Sequence, residues 1–144
     1  MEAKKILFPT DFSPASEAAL PLAMSLARDT GATLVMVHVI EPPAVYSAGD
    51  FAIGVPAPAD VTRESLEAMR VPDPNIPVER RVIDGEPGRA ILELANTLGV
   101  DLIVMGTHGR SGIRRLLMGS VAEEVLRGAK CPVLTYRHPI EGES

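Results

Sequence analysis

The apolar positions of this chain fall into two alternating kinds of pattern. Short runs rich in β-branched and aliphatic residues occur at Lys5–Thr10, Ala32–Ile40, Val78–Asp84, Asp101–Met105 and Pro132–Tyr136. The first, second and fourth of these (ILF, TLVMVHVI and LIVM) are nearly continuous in apolar character rather than alternating. Such runs suit strands covered on both faces, as in a parallel sheet between layers of helices. Between the first two runs, Ala15, Ala18, Ala19, Leu22, Ala23, Leu26 and Ala27 recur at helical spacing. Ser13 is placed to cap that helix, Pro14 to occupy its first turn and Gly31 to end it. Pro21 lies inside the stretch, and its missing N–H predicts a kink or irregularity there. From Arg89 to Leu98 a second helical stripe (Ala90, Ile91, Leu94, Ala95, Leu98) closes on Gly99. Ser120 to Glu123 reads as a capping box that opens a last helix running to about Gly128. Runs and helices in this alternation predict an α/β fold with right-handed crossovers.

One region breaks the rhythm. Seven prolines (Pro42, Pro43, Pro56, Pro58, Pro72, Pro74 and Pro77) fall between Glu41 and Pro77, and only Asp60–Arg70 among them has a helical composition. Residues 41–59 are therefore expected to form a flexible, Pro-rich surface excursion, with a lid or partner-binding loop as the other reading. The length, 144 residues, suits a single domain spanning 1–144, with 138–144 as a tail.

Composition narrows the chemistry. Aromatic residues are only 3% of the chain and Trp is absent, so the core must be aliphatic and an aromatic-lined ligand pocket is not expected. The net charge of −5, from 14 basic and 19 acidic residues, argues against a general nucleic-acid or anionic-membrane binder. A single cysteine, Cys131, cannot form an internal disulfide or hold a structural zinc by itself, and its place before Pro132 suggests a buried structural thiol. The opening MEAKKILFPTDF lacks a signal-peptide pattern and no run approaches the length of a membrane span, so a cytoplasmic location is expected.

Against that acidic background, the window from Leu102 to Ala122 contains no Asp or Glu. It holds His108, Arg110, Arg114 and Arg115 together with Gly106, Gly109, Gly112 and Gly119. Glycines let the main chain approach a ligand and present its N–H groups, and the cations favour an anion. The window runs from the carboxyl end of an expected strand to the amino end of an expected helix, two places that favour phosphate. The P-loop spacing is absent, and so is GxGxxG after the first strand. His108 has no companion cluster that would make it a metal ligand, and His38 reads as a satisfied core or edge residue rather than a catalyst.

The spacing that is present, G-x2-G-x9-G-[ST] in GTHGRSGIRRLLMGS, resembles the nucleotide motif of the universal stress protein family. FPTDFSPAS after the first strand, VHVIEPP, DLIVMGTHG and the terminal KCPVLTYR extend the resemblance over nearly the whole chain. The resemblance implies a three-layer Rossmann-like fold of the adenine nucleotide alpha hydrolase-like kind, with a parallel sheet in the order 3-2-1-4-5. It also implies an ATP site, with Mg²⁺ as a possible companion ion. There Gly106, His108 and Gly109 would surround the ribose and triphosphate, with Met105 at the strand edge and Arg110 a further phosphate partner. Gly119, Ser120 and Val121 would bind phosphates at the helix start. Pro9, Thr10 and Asp11 would line the adenine and ribose side, and Val39 would meet the base. Asp11 has a second reading as part of the first helix's cap.

The resemblance further implies a homodimer joined through the last strand, acting on an unknown protein partner in a stress response. The loop Arg110–Met118 is the element expected to order on nucleotide. Hydrolysis is the alternative activity, and slow or no turnover is expected because neither Asp11 nor His108 is an obvious base. A phosphoacceptor receiver is set aside, because Thr10-Asp11-Phe12 does not supply its acidic pair and Arg137 and His138 stand where its lysine would be.

Overall fold

The structure of the protein, a computed structural model, describes residues 3–41, 59–108 and 117–138. Its elements in chain order are β1 (Lys5–Pro9), α1 (Pro14–Thr30), β2 (Thr33–Ile40), α2 (Ala59–Ala68), β3 (Val78–Asp84), α3 (Pro87–Leu98), β4 (Leu102–His108), α4 (Leu117–Gly128) and β5 (Val133–His138). The strands form one sheet in the order β3-β2-β1-β4-β5, and every neighbouring pair is parallel. This is the three-layer Rossmann-like α/β fold, and the chain reverses its direction of travel across the sheet between β1 and β4.

Strand alternation divides the core in two. Ile6, Phe8, Leu34, Met36, Leu102 and Val104 turn to one face, under α1 and α2, where Ala19, Ala23, Leu66 and Met69 meet them. Leu7, Val35, Val37, Ile103 and Met105 turn to the other, under α3 and α4, against Ala90, Ile91, Val121 and Val125. The continuous apolar runs thus belong to strands buried on both faces, whereas every residue of the edge strand β3 is only partly buried or exposed. Arg80 of β3 ties α2 down by donating from Nε to the Leu66 carbonyl (3.2 Å) and from Nη2 to the Met69 carbonyl (2.8 Å). The Leu66 carbonyl also accepts from the Met69 N–H (3.1 Å), so Arg80 adds to the bonds that close the end of α2.

Ser13 caps α1, accepting from the Ser16 N–H, and Gly31 and Gly99 end α1 and α3 in the left-handed conformation. The helix α1 is one continuous element through Pro21, which lies on the exposed side beside the buried Ala19, Leu20 and Ala23. Two expectations need correction. β4 extends past Met105 to His108 because β5 continues beside it, pairing Gly106 with Tyr136 and Thr107 with Arg137. Finally, α4 opens at Leu117, so Ser120 stands one turn inside it rather than at its cap. Leu117 and Met118 favour helix, and they extend it ahead of the capping-box signature.

Cys131 is half-buried rather than fully buried, and desolvation chiefly, helped by the Asp101 charge, raises its thiol above the usual range. The excursion 41–59 except its two end residues, the tail beyond 138, and the motif residues Gly109, Arg110, Gly112, Arg114 and Arg115 lie outside the described residues.

Candidate functional site

Above the carboxyl ends of the central strands, the turn from β1 into α1 is the most elaborately bonded segment of the site. Thr10 is buried, its N–H donates to the Val37 carbonyl (2.9 Å), and its Oγ1 accepts from the Phe12 N–H (3.0 Å). That hydroxyl in turn lies 3.6 Å from the Met69 sulfur, a weak acceptor. Asp11 Oδ1 accepts from the Ser13 N–H (2.9 Å) and from the Ser16 hydroxyl (2.8 Å). Its own N–H donates to Ser16 Oγ (3.3 Å). Asp11 therefore takes part in the start of α1, as one of its two sequence readings held, and this bonding fixes the carboxylate's direction.

Between them the backbone turns through Phe12, which has φ +67° and is the one non-glycine residue with positive φ among the described residues. That conformation costs a non-glycine residue about 1–2 kcal/mol, so the surrounding contacts must hold it. The Phe12 ring packs on His38, with centroids 4.5 Å apart. His38 is satisfied as the sequence suggested, with Nδ1 2.8 Å from the Thr10 carbonyl.

Pro9, Thr10 and Asp11 meet Val37, His38 and Val39 of β2, Pro87 and Ile91 of α3, and Val121 of α4 around one cavity of about 40 Å³. Five residues expected from the sequence, Pro9, Thr10, Asp11, Val39 and Val121, are thus brought together. The volume is far below the roughly 300–1,000 Å³ of a complete ligand pocket, so these residues make a floor and two walls. Met105 is fully buried in the same apolar cluster as Val39, Ile91 and Val121, beneath that floor. Gly106 lies in β4 on the opposite face, where α1 passes so close that a Cβ would meet the Ala15 carbonyl. His108 ends β4, Gly119 lies in α4, and Ser120 is exposed on α4. Gly109 and Arg110, outside the described residues, belong to the connection between those two elements.

Sequence reasoning missed Val37, Pro87 and Ile91 as lining residues. Val37 was detectable, because it shares a face with Val39 by strand alternation. Pro87 and Ile91 reach the site only because the crossover through α3 lays that helix over the sheet.

A larger cleft, about 530 Å³, opens between α1 and α2 and is lined by Phe12, Glu17, Leu20, Ser65, Ala68 and Met69. Size would favour it, but position favours the smaller cavity. Only the latter stands at strand carboxyl ends beside the switch point, where open parallel sheets hold ligands.

The fold and this placement define a doubly wound α/β protein with a small cavity above the carboxyl ends of its central strands. More particularly, the chain belongs to the universal stress protein family, whose family model, Universal stress protein family, matches residues 2–137. It is 37% identical over 139 residues to Universal stress protein A homolog 1 of Coxiella burnetii, covering 93% of this chain and 96% of that relative. The solved structure of protein MJ0577 is similar with a TM-score of 0.76 at 29% identity, over 98% of this chain and 100% of that one. The protein of that name from Methanocaldococcus jannaschii is itself a universal stress protein. A universal stress protein solved in complex with cAMP is similar with a TM-score of 0.61 at 28% identity, over 94% of this chain and 97% of that one. Among the described residues, no helix is long and apolar enough to cross a membrane.

Proposed function

We propose that this chain is an ATP-binding universal stress protein, a cytoplasmic, nucleotide-dependent stress-response module that signals to a protein partner as a homodimer. The observation that carries the reading is the convergence of Pro9, Thr10, Asp11, Val39 and Val121 on one cavity at the carboxyl ends of the central strands. The complete motif from Gly106 to Ser120 begins in β4 and ends in α4. In this reading the base and ribose sit against Pro9, Thr10, Asp11 and Val39. The phosphates reach toward Gly106, His108, Gly109, Arg110, Gly119 and Ser120. The aliphatic lining means that affinity comes chiefly from the phosphate end. The similar protein solved with cAMP supports an adenine nucleotide as the ligand class. Mg²⁺ would arrive with the nucleotide and be held largely through its phosphates, as is usual for that ion.

The dimer would form along β5, an edge strand on which Leu134 and Tyr136 are 38% and 37% exposed. Pairing that edge with a second copy removes an unpaired apolar strand. Fast hydrolysis is no part of the proposal, because Asp11 is engaged with Ser13 and Ser16 at the start of α1 rather than standing as a base for water.

The test is titration calorimetry with ATP on the wild type and on Gly119→Glu. The substitution sets a carboxylate where phosphate would lie, so the variant should remain folded and lose ATP binding. Equal ATP affinity in the two proteins would refute the assigned site. Mass spectrometry of natively purified protein should find adenine nucleotide carried along.

A further inference from the structure

His38 lies beside the cavity, yet its side chain belongs to the other face of the sheet. Val37 and Val39 turn toward α3 and α4, whereas alternation sets His38 with Leu34 and Met36, toward α1 and α2. From that side its ring packs on Phe12 at 4.5 Å between centroids, and its Nδ1 lies 2.8 Å from the Thr10 carbonyl oxygen. A carbonyl oxygen can only accept, so Nδ1 carries the proton and donates. The Thr10 N–H is already held by the Val37 carbonyl (2.9 Å) and the Phe12 N–H by Thr10 Oγ1 (3.0 Å). His38 is thus the side chain that grips both the carbonyl of Thr10 and the ring of Phe12, the residue whose positive φ aims the turn.

We propose that His38 is a positioning residue for the nucleotide pocket. Working from the reverse face of the sheet, it holds the Thr10–Asp11–Phe12 turn so that Thr10 and Asp11 stand at the cavity before the ligand arrives. The proposal rests on the nucleotide reading of the site. It adds a residue that borders the cavity but whose ring hydrogen bond and packing act on the turn rather than on the ligand. Preorganisation of this kind contributes affinity by removing the ordering cost from the binding step.

AMP is the appropriate probe, because it lacks the β- and γ-phosphates and reports the base and ribose end. His38→Leu keeps apolar bulk and removes the donor, whereas His38→Asn places an amide N–H₂ near the position of Nδ1. With folding checked by circular dichroism at the assay temperature, His38→Leu should weaken AMP binding about tenfold, and His38→Asn should restore it to within about threefold of wild type. Unchanged affinity in His38→Leu, or an Asn variant as weak as the Leu variant, overturns the proposal. Should His38→Leu fail to fold, Phe12→Gly tests the same grip, because glycine accepts the positive φ while the ring is lost. A folded Phe12→Gly should also bind AMP more weakly, and unaltered affinity there overturns the proposal as well. A wild-type protein that binds neither AMP nor ATP overturns the nucleotide reading, and this proposal with it. A wild type that binds while both variants bind equally well removes only His38's role.

Discussion

A Cβ on Gly106 would meet the carbonyl oxygen of Ala15, so β4 and the first turn of α1 pack at a distance that only glycine permits. The contact joins the strand that carries the start of the glycine motif to the helix whose beginning holds Asp11. Gly106→Ala must therefore push the two apart. Overpacking of this kind costs about 1–3 kcal/mol, which urea denaturation should register as a lower midpoint at unchanged slope. Nucleotide affinity should fall with it, because both walls of the site move. A variant as stable as wild type would show that α1 gives way freely.

Asp101 stands at the other end of the sheet and joins β4 to β1. Its Oδ2 accepts from the backbone N–H groups of Lys4 (2.8 Å) and Lys5 (3.1 Å), and these bonds hold its carboxyl below the usual carboxylate range. A depressed folded pKa stabilises the fold above the unfolded value of about 3.9, and the contribution is lost as pH falls through the folded value. Asp101→Ala should thus lower the melting temperature at neutral pH, and the gap to wild type should narrow below about pH 4. A gap independent of pH would mean that the charge of Asp101 contributes nothing.

Cys131 should be a sluggish thiol. Desolvation and the Asp101 charge raise its pKa, so at mildly alkaline pH it holds less thiolate than a free cysteine. Its reaction with a disulfide reagent such as DTNB should be slower than that of glutathione, and faster in Asp101→Asn than in wild type. Reaction at the free-thiol rate would contradict the assignment.

The edge strand β5 offers a direct test of association. Leu134→Glu places a charge on the exposed side of that strand, where inward pairing with a second copy would bury it. Light scattering on a sizing column should find wild type at twice the chain mass and the variant at the chain mass. Equal masses would remove β5 as the joining edge.

How much of this was legible before folding depends on the range of the interaction concerned. The strands and helices were legible because continuous apolar runs, helical stripes, the Ser13 cap and the Gly31 and Gly99 stops are local signals. Boundaries were less so. β4 runs on to His108 because β5 lies beside it, and nothing near Gly106 in the chain announces that partner.

The sequence by itself determined the class of fold, the family and the residue make-up of the glycine-rich window, because each rests on residue type and spacing along the chain. Tertiary structure alone decided which of those residues meet. It brought Pro9, Thr10, Asp11, Val39 and Val121 to one cavity, added Pro87 and Ile91 from α3, and placed His38 behind the Thr10 carbonyl. The physical reason is that a parallel sheet joins its strands by crossovers, so the neighbours that shape its carboxyl edge are distant in the chain.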